Sequence, residues 1–143
     1  MGEVSGEMCK VHFKGMPNQP IPNMSQEAYE ELGDLVQGWI RQTMREYFGL
    51  KELWIGGVGN SPKSNIYVSE DFTTNKEKCM VFIQGTGPCR PGVWARSVCI
   101  NEGINLGSIF PQLEHARTHG YSVIVLNPNF AVDPISGAKV PHC

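Results

Sequence analysis

No stretch of this chain approaches the ~20 consecutive apolar residues that a helix needs to cross a bilayer. The N-terminus, with Glu3 and Glu7 among small residues, lacks the basic and then apolar order of a secretory signal. A protein made and kept inside the cell is expected. Charge is scarce as well: 18% of residues are charged and the net charge is -2. Without a basic excess there are few phosphate counterions to release, which argues against direct binding to nucleic acid. None of the five cysteines, Cys9, Cys79, Cys89, Cys99 and Cys143, falls in a C-x-x-C pair, and their number is odd. Neither a disulfide framework nor a zinc ribbon is indicated, and reduced thiols are the default. There is also no G-x-S-x-G turn; Gly59-Asn60-Ser61-Pro62-Lys63 comes nearest, with the wrong fifth residue.

What remains is an ordinary globular composition, 41% hydrophobic over 143 residues, which is enough for one domain with a buried core. Two apolar runs stand out: Cys79-Met80-Val81-Phe82-Ile83-Gln84-Gly85-Thr86-Gly87 and Tyr121-Ser122-Val123-Ile124-Val125-Leu126-Asn127-Pro128. Runs without polar alternation suit strands covered on both faces, as in a parallel sheet. The segment between them has room for a crossover helix, giving a βαβ unit.

Residues 1–22 read as an extended lead-in, few in large apolar side chains and ending in a Pro/Asn-rich stretch. A helix then starts near Asn23 or Ser25, with Glu27, Glu30 and Glu31 near its positive end. Its apolar positions Ala28, Leu32, Leu35, Val36, Trp39, Ile40, Met44 and Tyr47 step by three and four, and Gly49 is a natural stop. Leu53-Trp54-Ile55 and Asn65-Ile66-Tyr67-Val68 are short strand candidates around the flexible Gly56-Gly57-Val58-Gly59. The shape of Val93 to Ile100 is not fixed by its pattern. A further helix is expected from a Ser108 cap, with Pro111 in its first turn, to about His119, with its stop at Gly120.

The glycine turn after the first apolar run holds the candidate chemistry. In Gly85-Thr86-Gly87-Pro88-Cys89-Arg90 the third glycine of G-x-G-x-x-G is replaced by Arg90, and no Gly-Lys-Ser/Thr follows, so both nucleotide motifs fail. Gln84-Gly85-Thr86-Gly87 has the shape of an oxyanion-hole turn, with the Thr86 and Gly87 amides as natural donors. A tight turn that needs glycine only for positive φ explains the same residues. Downstream, Arg96 either pairs with a carboxylate lining the site or is a surface charge, while Trp94 is expected in the core rather than as a partner anchor. His115 and His119 lie four apart, but without the glutamate of H-E-x-x-H or a third ligand; no metal and no cofactor are expected. Cys89 is the one candidate reactive thiol, and Cys79 and Cys99 are expected to act as small hydrophobes.

Several ordered blocks carry a family resemblance. Tyr67-Val68-Ser69-Glu70-Asp71, Met80 to Gly87, Arg90-Pro91-Gly92-Val93-Trp94-Ala95-Arg96-Ser97, Ile100-Asn101-Glu102 and Gly120 to Asn129 closely resemble the Arb-two, or argonaute-binding-protein, domain. A weaker likeness, through Tyr29 to Asp34, reaches back over the first helix. The resemblance implies an α/β protein: the N-terminal half of an α/β-hydrolase-like fold with a parallel βαβ core, truncated, with residues 23–143 as a partial domain. The two apolar strands would be the third and fourth of the sheet. Family members carry an A-H-S-x-G-G nucleophile-like turn well downstream, and this chain stops at Cys143, before it. Gln84 stands where many members have His.

The implied function is a non-catalytic nuclear regulator, present in the cytoplasm as a second location, in small-RNA silencing, chromatin or splicing. Its implied partners are proteins, argonaute or chromatin- and spliceosome-associated, with no membrane partner. The alternative is a serine-hydrolase relative whose nucleophile-bearing half is absent. By this reading Gln84 to Gly87 form the hole-like turn, while Arg90, Trp94 and Arg96 line the site or contact a partner. An apolar parallel strand without a neighbour is expected at the sheet edge, with marginal stability for the isolated chain.

Overall fold

The structure, a computed structural model, describes residues 25–140. The expected lead-in at residues 1–22 lies outside the described residues, as do Cys9, Asn23, His142 and Cys143. The first element, α1, spans Gln26–Glu46. Ser25 caps it, its Oγ accepting from the Ala28 amide at 3.1 Å, which satisfies one of the donors that a helix start leaves free. Gly33, Val36, Gln37, Ile40 and Met44 form its buried ridge, and the helix closes at Tyr47. Burial of side chains the size of Ile40 and Met44 contributes about 1.5–3 kcal/mol each. The apolar stripe is narrower than its spacing implies: Leu35 is 71% exposed and Tyr47 caps the helix in solvent. Position 35 is rotated about 100° from Val36, away from the ridge.

Next come β1, Lys51–Gly56, and β2, Lys63–Val68, an antiparallel hairpin registered Lys51↔Val68 to Gly56↔Lys63. The glycine stretch after Ile55 is thus the turn of a hairpin. The remaining strands are β3, Cys79–Phe82, and β4, Ser122–Val125. Three helices connect them: α2 at Arg96–Asn101, α3 at Ile104–Gly107 and α4 at Phe110–Thr118. The sheet order is β1-β2-β4-β3. β3 runs parallel to β4, and β2 antiparallel to it. The protein is therefore α/β with a mixed sheet, in which the parallel βαβ unit is confined to β3 and β4.

Two expectations about that unit need correction. The apolar run from Cys79 is not covered on both faces: Phe82 is buried, but Val81 and Ile83 are 49% and 59% exposed, and Cys79 is exposed rather than packed as a small hydrophobe. β3 is one of the two edge strands of the described sheet, and its side chains alternate between the packed face, which takes Phe82, and a face open to solvent, which takes Val81 and Ile83. In addition, α4 is capped at Ile109 rather than Ser108; the Ser108 hydroxyl instead accepts from the Phe110 amide at 3.2 Å. Pro111 sits in the first turn as expected, and the helix ends before Gly120, at φ +71.

The core joins α1, the sheet and the connecting helices through Ile40, Met44, Tyr67, Phe82, Val93, Cys99, Ile109, Leu113, Val123 and Val125. The segment whose shape the pattern left open docks this core in two ways. Val93 bridges to Ser108, and the Trp94 amide donates to the Gly107 carbonyl at 2.8 Å. Gly107 packs so closely on α2 that a Cβ there would lie 2.4 Å from the Cys99 nitrogen. Among the described residues, no helix is long and apolar enough to cross a membrane.

Candidate functional site

The site lies at the carboxyl ends of β3 and β4. Parallel pairing of Phe82 with Val125 puts Gln84 and Asn127, two residues further on each strand, at the same level. Antiparallel pairing of Tyr67 with Val125 brings Asn65 to that level from β2. Three amide side chains therefore form a row across the end of the sheet. Asn127 Nδ2 donates to Asn65 Oδ1 at 2.8 Å, and Gln84 Nε2 donates to the Arg90 carbonyl at 3.0 Å. Gln84 and Asn127 are 5% and 7% exposed, yet Gln84 Oε1 and Asn127 Oδ1 have no protein partner. Leaving such an acceptor unpaired costs about 1–3 kcal/mol.

Beside this row the glycine turn is held from two directions. Asn129, 4% exposed, donates from Nδ2 to the carbonyls of Gly85 at 2.8 Å and Cys89 at 3.1 Å. Its Oδ1 accepts from the Gly87 amide at 3.2 Å. From α1, Gln37 Oε1 accepts from the Arg90 amide at 2.6 Å, and Nε2 donates to the Pro88 carbonyl at 3.3 Å. Gly87 adopts φ +147 while Gly85 stays at negative φ, so the conformational need for glycine applies to one of the two. The Gly87 amide, one of the two donors expected of an oxyanion turn, is engaged by Asn129. Thr86 is exposed at the tip.

Arg90 is half-buried; its Nη1 donates to the Asn129 carbonyl at 3.0 Å and its guanidinium sits 5.3 Å over the Phe130 ring. Burial lowers its pKa, as do the charges of Arg41 and Arg96, while Asp34 opposes them. Arg96 forms no ion pair among the described residues. Its guanidinium packs on α1, with Nη1 3.2 Å from where a Cβ on Gly33 would stand. Trp94 does not enter the core: it is 38% exposed, its ring 6.3 Å from that of Phe82. The bridge at Val93 turns that residue inward, and the extended backbone then turns Trp94 out.

Elsewhere, the thiol of Cys89 points to the Trp94 carbonyl at 3.5 Å. Cys99 is fully buried, which pushes its thiol up to about 12. The His115 and His119 rings stack at 4.0 Å on the exposed side of α4, and no cluster of three potential metal ligands occurs among the described residues. The residues that pattern reading passed over are Gln37, Asn65, Asn127 and Asn129. A signal existed for two of them: Gln37 is polar at a core spacing of α1, and Asn127 matches Gln84 in its offset from the end of an apolar run.

Comparison with known proteins adds the family. The cotranscriptional regulator ARB2A homolog of Dictyostelium discoideum is 44% identical over 110 residues, covering 76% of this chain and 28% of the relative. The Xenopus tropicalis homolog is 36% identical over 125 residues, 86% of this chain and 30% of its own length. Mouse cotranscriptional regulator ARB2A is 40% identical over 113 residues, 78% of this chain and 27% of its own length. The chain thus spans under a third of the length of each of these three relatives. No solved structure matches it. The profile of the Arb2 domain matches residues 10–133. With the profile and these relatives both matching most of its length, the chain belongs to the Arb2 domain family.

Proposed function

We propose that this chain is part of a nuclear co-transcriptional regulator that works by holding proteins together rather than by hydrolysis. The observation that carries this reading is the Asn129 clamp: a turn shaped for anion stabilisation has its Gly87 amide bonded within the protein. Relatives named cotranscriptional regulators support the regulatory role. Residues 23–143 are taken as one partial domain of α/β-hydrolase-like build. In its support, β3 and β4 are the third and fourth strands in chain order, parallel, with the glycine turn at the carboxyl end of the third. The proposed partners are argonaute, chromatin-associated or spliceosome-associated proteins, with Arg90, Trp94 and Arg96 among the contact residues. A net charge of -2 supports protein over nucleic acid as the direct partner.

A serine-hydrolase relative is the second reading. The buried, unpartnered oxygens of Gln84 and Asn127 beside the turn favour it, because convergent polar groups at the carboxyl ends of parallel strands are where small ligands bind. Tagging the protein at its own locus separates the two. Recovery of argonaute or chromatin proteins, with no labelling by a fluorophosphonate, is expected. Covalent labelling of a serine that a competing ester suppresses would instead establish the hydrolase.

A further inference from the structure

The outward side of α1 carries both a knob and a notch. Leu35 projects from it, 71% exposed. Nearly one turn on, Gly38 has no side chain, and a Cβ placed there would meet a single neighbour within 4 Å, the Arg41 Nη2 at 3.9 Å. Glu31, Asp34, Trp39 and Gln42 line the same open groove. Trp39 is braced from behind by Phe110, whose ring lies 5.9 Å away. Side chains on a helix lean toward its N-terminus, so Leu35 points away from the Gly38 of its own chain. A second helix laid across the groove can place a side chain in that notch.

Spacing and charge say which helix fits. Ala28, Glu31, Leu35, Gly38, Gln42 and Arg45 step alternately by three and four, the spacing of a helix-to-helix seam, and all are exposed except half-buried Gly38. An antiparallel copy of α1, centred between Leu35 and Gly38, sets each Leu35 opposite the Gly38 of its copy. Glu31 then falls opposite Gln42, and Ala28 opposite Arg45. Charge obeys the same two-fold relation. The first half of α1 holds Glu27, Glu30, Glu31 and Asp34 and no base, whereas the second half holds Arg41, Arg45 and one carboxylate, Glu46. Parallel pairing would set carboxylates against carboxylates; antiparallel pairing sets them beside arginines. Arg41 has no ion pair among the described residues, and that of Arg45 with Glu52 spans a loose 3.8 Å.

We propose that the outer stripe of α1 is a self-association surface, through which two copies of this chain pair as an antiparallel, two-fold dimer with Leu35 of each seated over Gly38 of the other. A two-fold contact requires one patch to complement itself, and knob, notch, acidic half and arginine half do so on a single helix. The glycine lets the two axes approach closely enough for the leucine to reach Trp39. Exposed ion pairs contribute little energy, so the charges choose the antiparallel orientation while the leucine supplies the contact. A basic helix from another protein would answer the four carboxylates and face Arg41 and Arg45 with like charge; a second copy answers both halves. One helix pair buries less than a standard interface, which makes the dimer weak and reversible, with a dissociation constant on the order of 100 µM. This inference stands apart from the regulatory reading above and does not depend on it.

The test is sedimentation equilibrium of the full chain at concentrations up to about 1 mM. A monomer–dimer equilibrium that stops at two is expected. Leu35→Gln and Gly38→Gln should each weaken it about tenfold or more, with far-UV circular dichroism unchanged, since both positions lie on the open side of the helix. Val81→Lys, on the exposed side of β3, should leave it as it is. Orientation is read by charge exchange: a chain with Glu31→Lys and Asp34→Lys, and another with Arg41→Glu and Arg45→Glu, should each fail to dimerise alone and pair when mixed. A chain that stays monomeric throughout would overturn the proposal. So would assembly that grows past two or yields to Val81→Lys, which assigns it to the edge of the sheet. Two exchanged chains that dimerise alone and do not prefer each other would overturn the antiparallel geometry. A monomeric chain that instead binds a lysine-rich amphipathic peptide, with loss on Leu35→Gln, would give the stripe to a different partner.

Discussion

The carboxamide of Asn129 donates to the Gly85 carbonyl at 2.8 Å, closing a contact between residues 44 apart in the chain. It is one of three bonds from the same buried side chain to the turn after β3. Each net hydrogen bond contributes about 0.5–1.5 kcal/mol. Asn129→Ala should therefore lower stability by about 2–3 kcal/mol, read from the midpoint of urea unfolding at constant slope. A loss below about 0.5 kcal/mol, the range of ordinary surface changes, would show that the turn holds its shape without the clamp.

Gly107 offers a steric test of how α2 and α3 meet. A Cβ at this position would stand 2.4 Å from the backbone nitrogen of Cys99 and 2.5 Å from its sulfur. Backbone cannot swing aside as a side-chain tip can. Gly107→Ala is expected to destabilise the fold by about 1–3 kcal/mol through overpacking, visible as a lower melting temperature. An unchanged melting temperature would mean that the two helices are less closely packed than this contact requires.

Edge strand β3 predicts self-association. Cys79, Val81 and Ile83 present an uncharged, exposed row beside free backbone groups, and edges of this kind pair with other chains unless charge blocks them. Val81→Lys or Ile83→Lys should reduce aggregation of the isolated chain in light scattering, with a stability change within about 0.5 kcal/mol. Monomeric behaviour of the unmodified chain at high concentration, with a sharp cooperative transition, would remove both this prediction and the expected marginal stability.

Cys99 ties stability to alkaline pH. Its folded thiol is pushed up to about 12 by burial, while an unfolded thiol titrates near 8.5. The folded state thus keeps a proton that the unfolded state releases, so stability is full below about pH 8.5 and falls as pH rises toward 12. The slope over that window is about 1.4 kcal/mol per pH unit. Tyr67, also raised by burial, steepens the fall above about pH 10. Cys99→Ala should flatten the segment between pH 9 and 10 in unfolding titrations. An identical slope in the variant would assign the loss to another group. Alkylation offers a parallel measurement, with exposed Cys79 modified first and Cys99 protected until unfolding.

Much of the local structure was legible along the chain. Ser25 as a cap, Gly49 and Gly120 as stops, the Pro111 first turn and both short strands depend on residues within a turn or two of each other. The ordered blocks from Tyr67 to Asn129 likewise carried the family. Tertiary structure decided which face each apolar residue obtained. Val81 and Phe82 are both apolar and opposite in burial, because a strand alternates its faces and one face of β3 is open to solvent. It also decided the site: Asn65, Gln84 and Asn127 align through strand pairing, and Gln37 and Asn129 reach the glycine turn from 39 or more residues away. Backbone periodicity records neighbours along the chain, whereas these amides are placed by contacts that exist after the sheet and α1 have packed together.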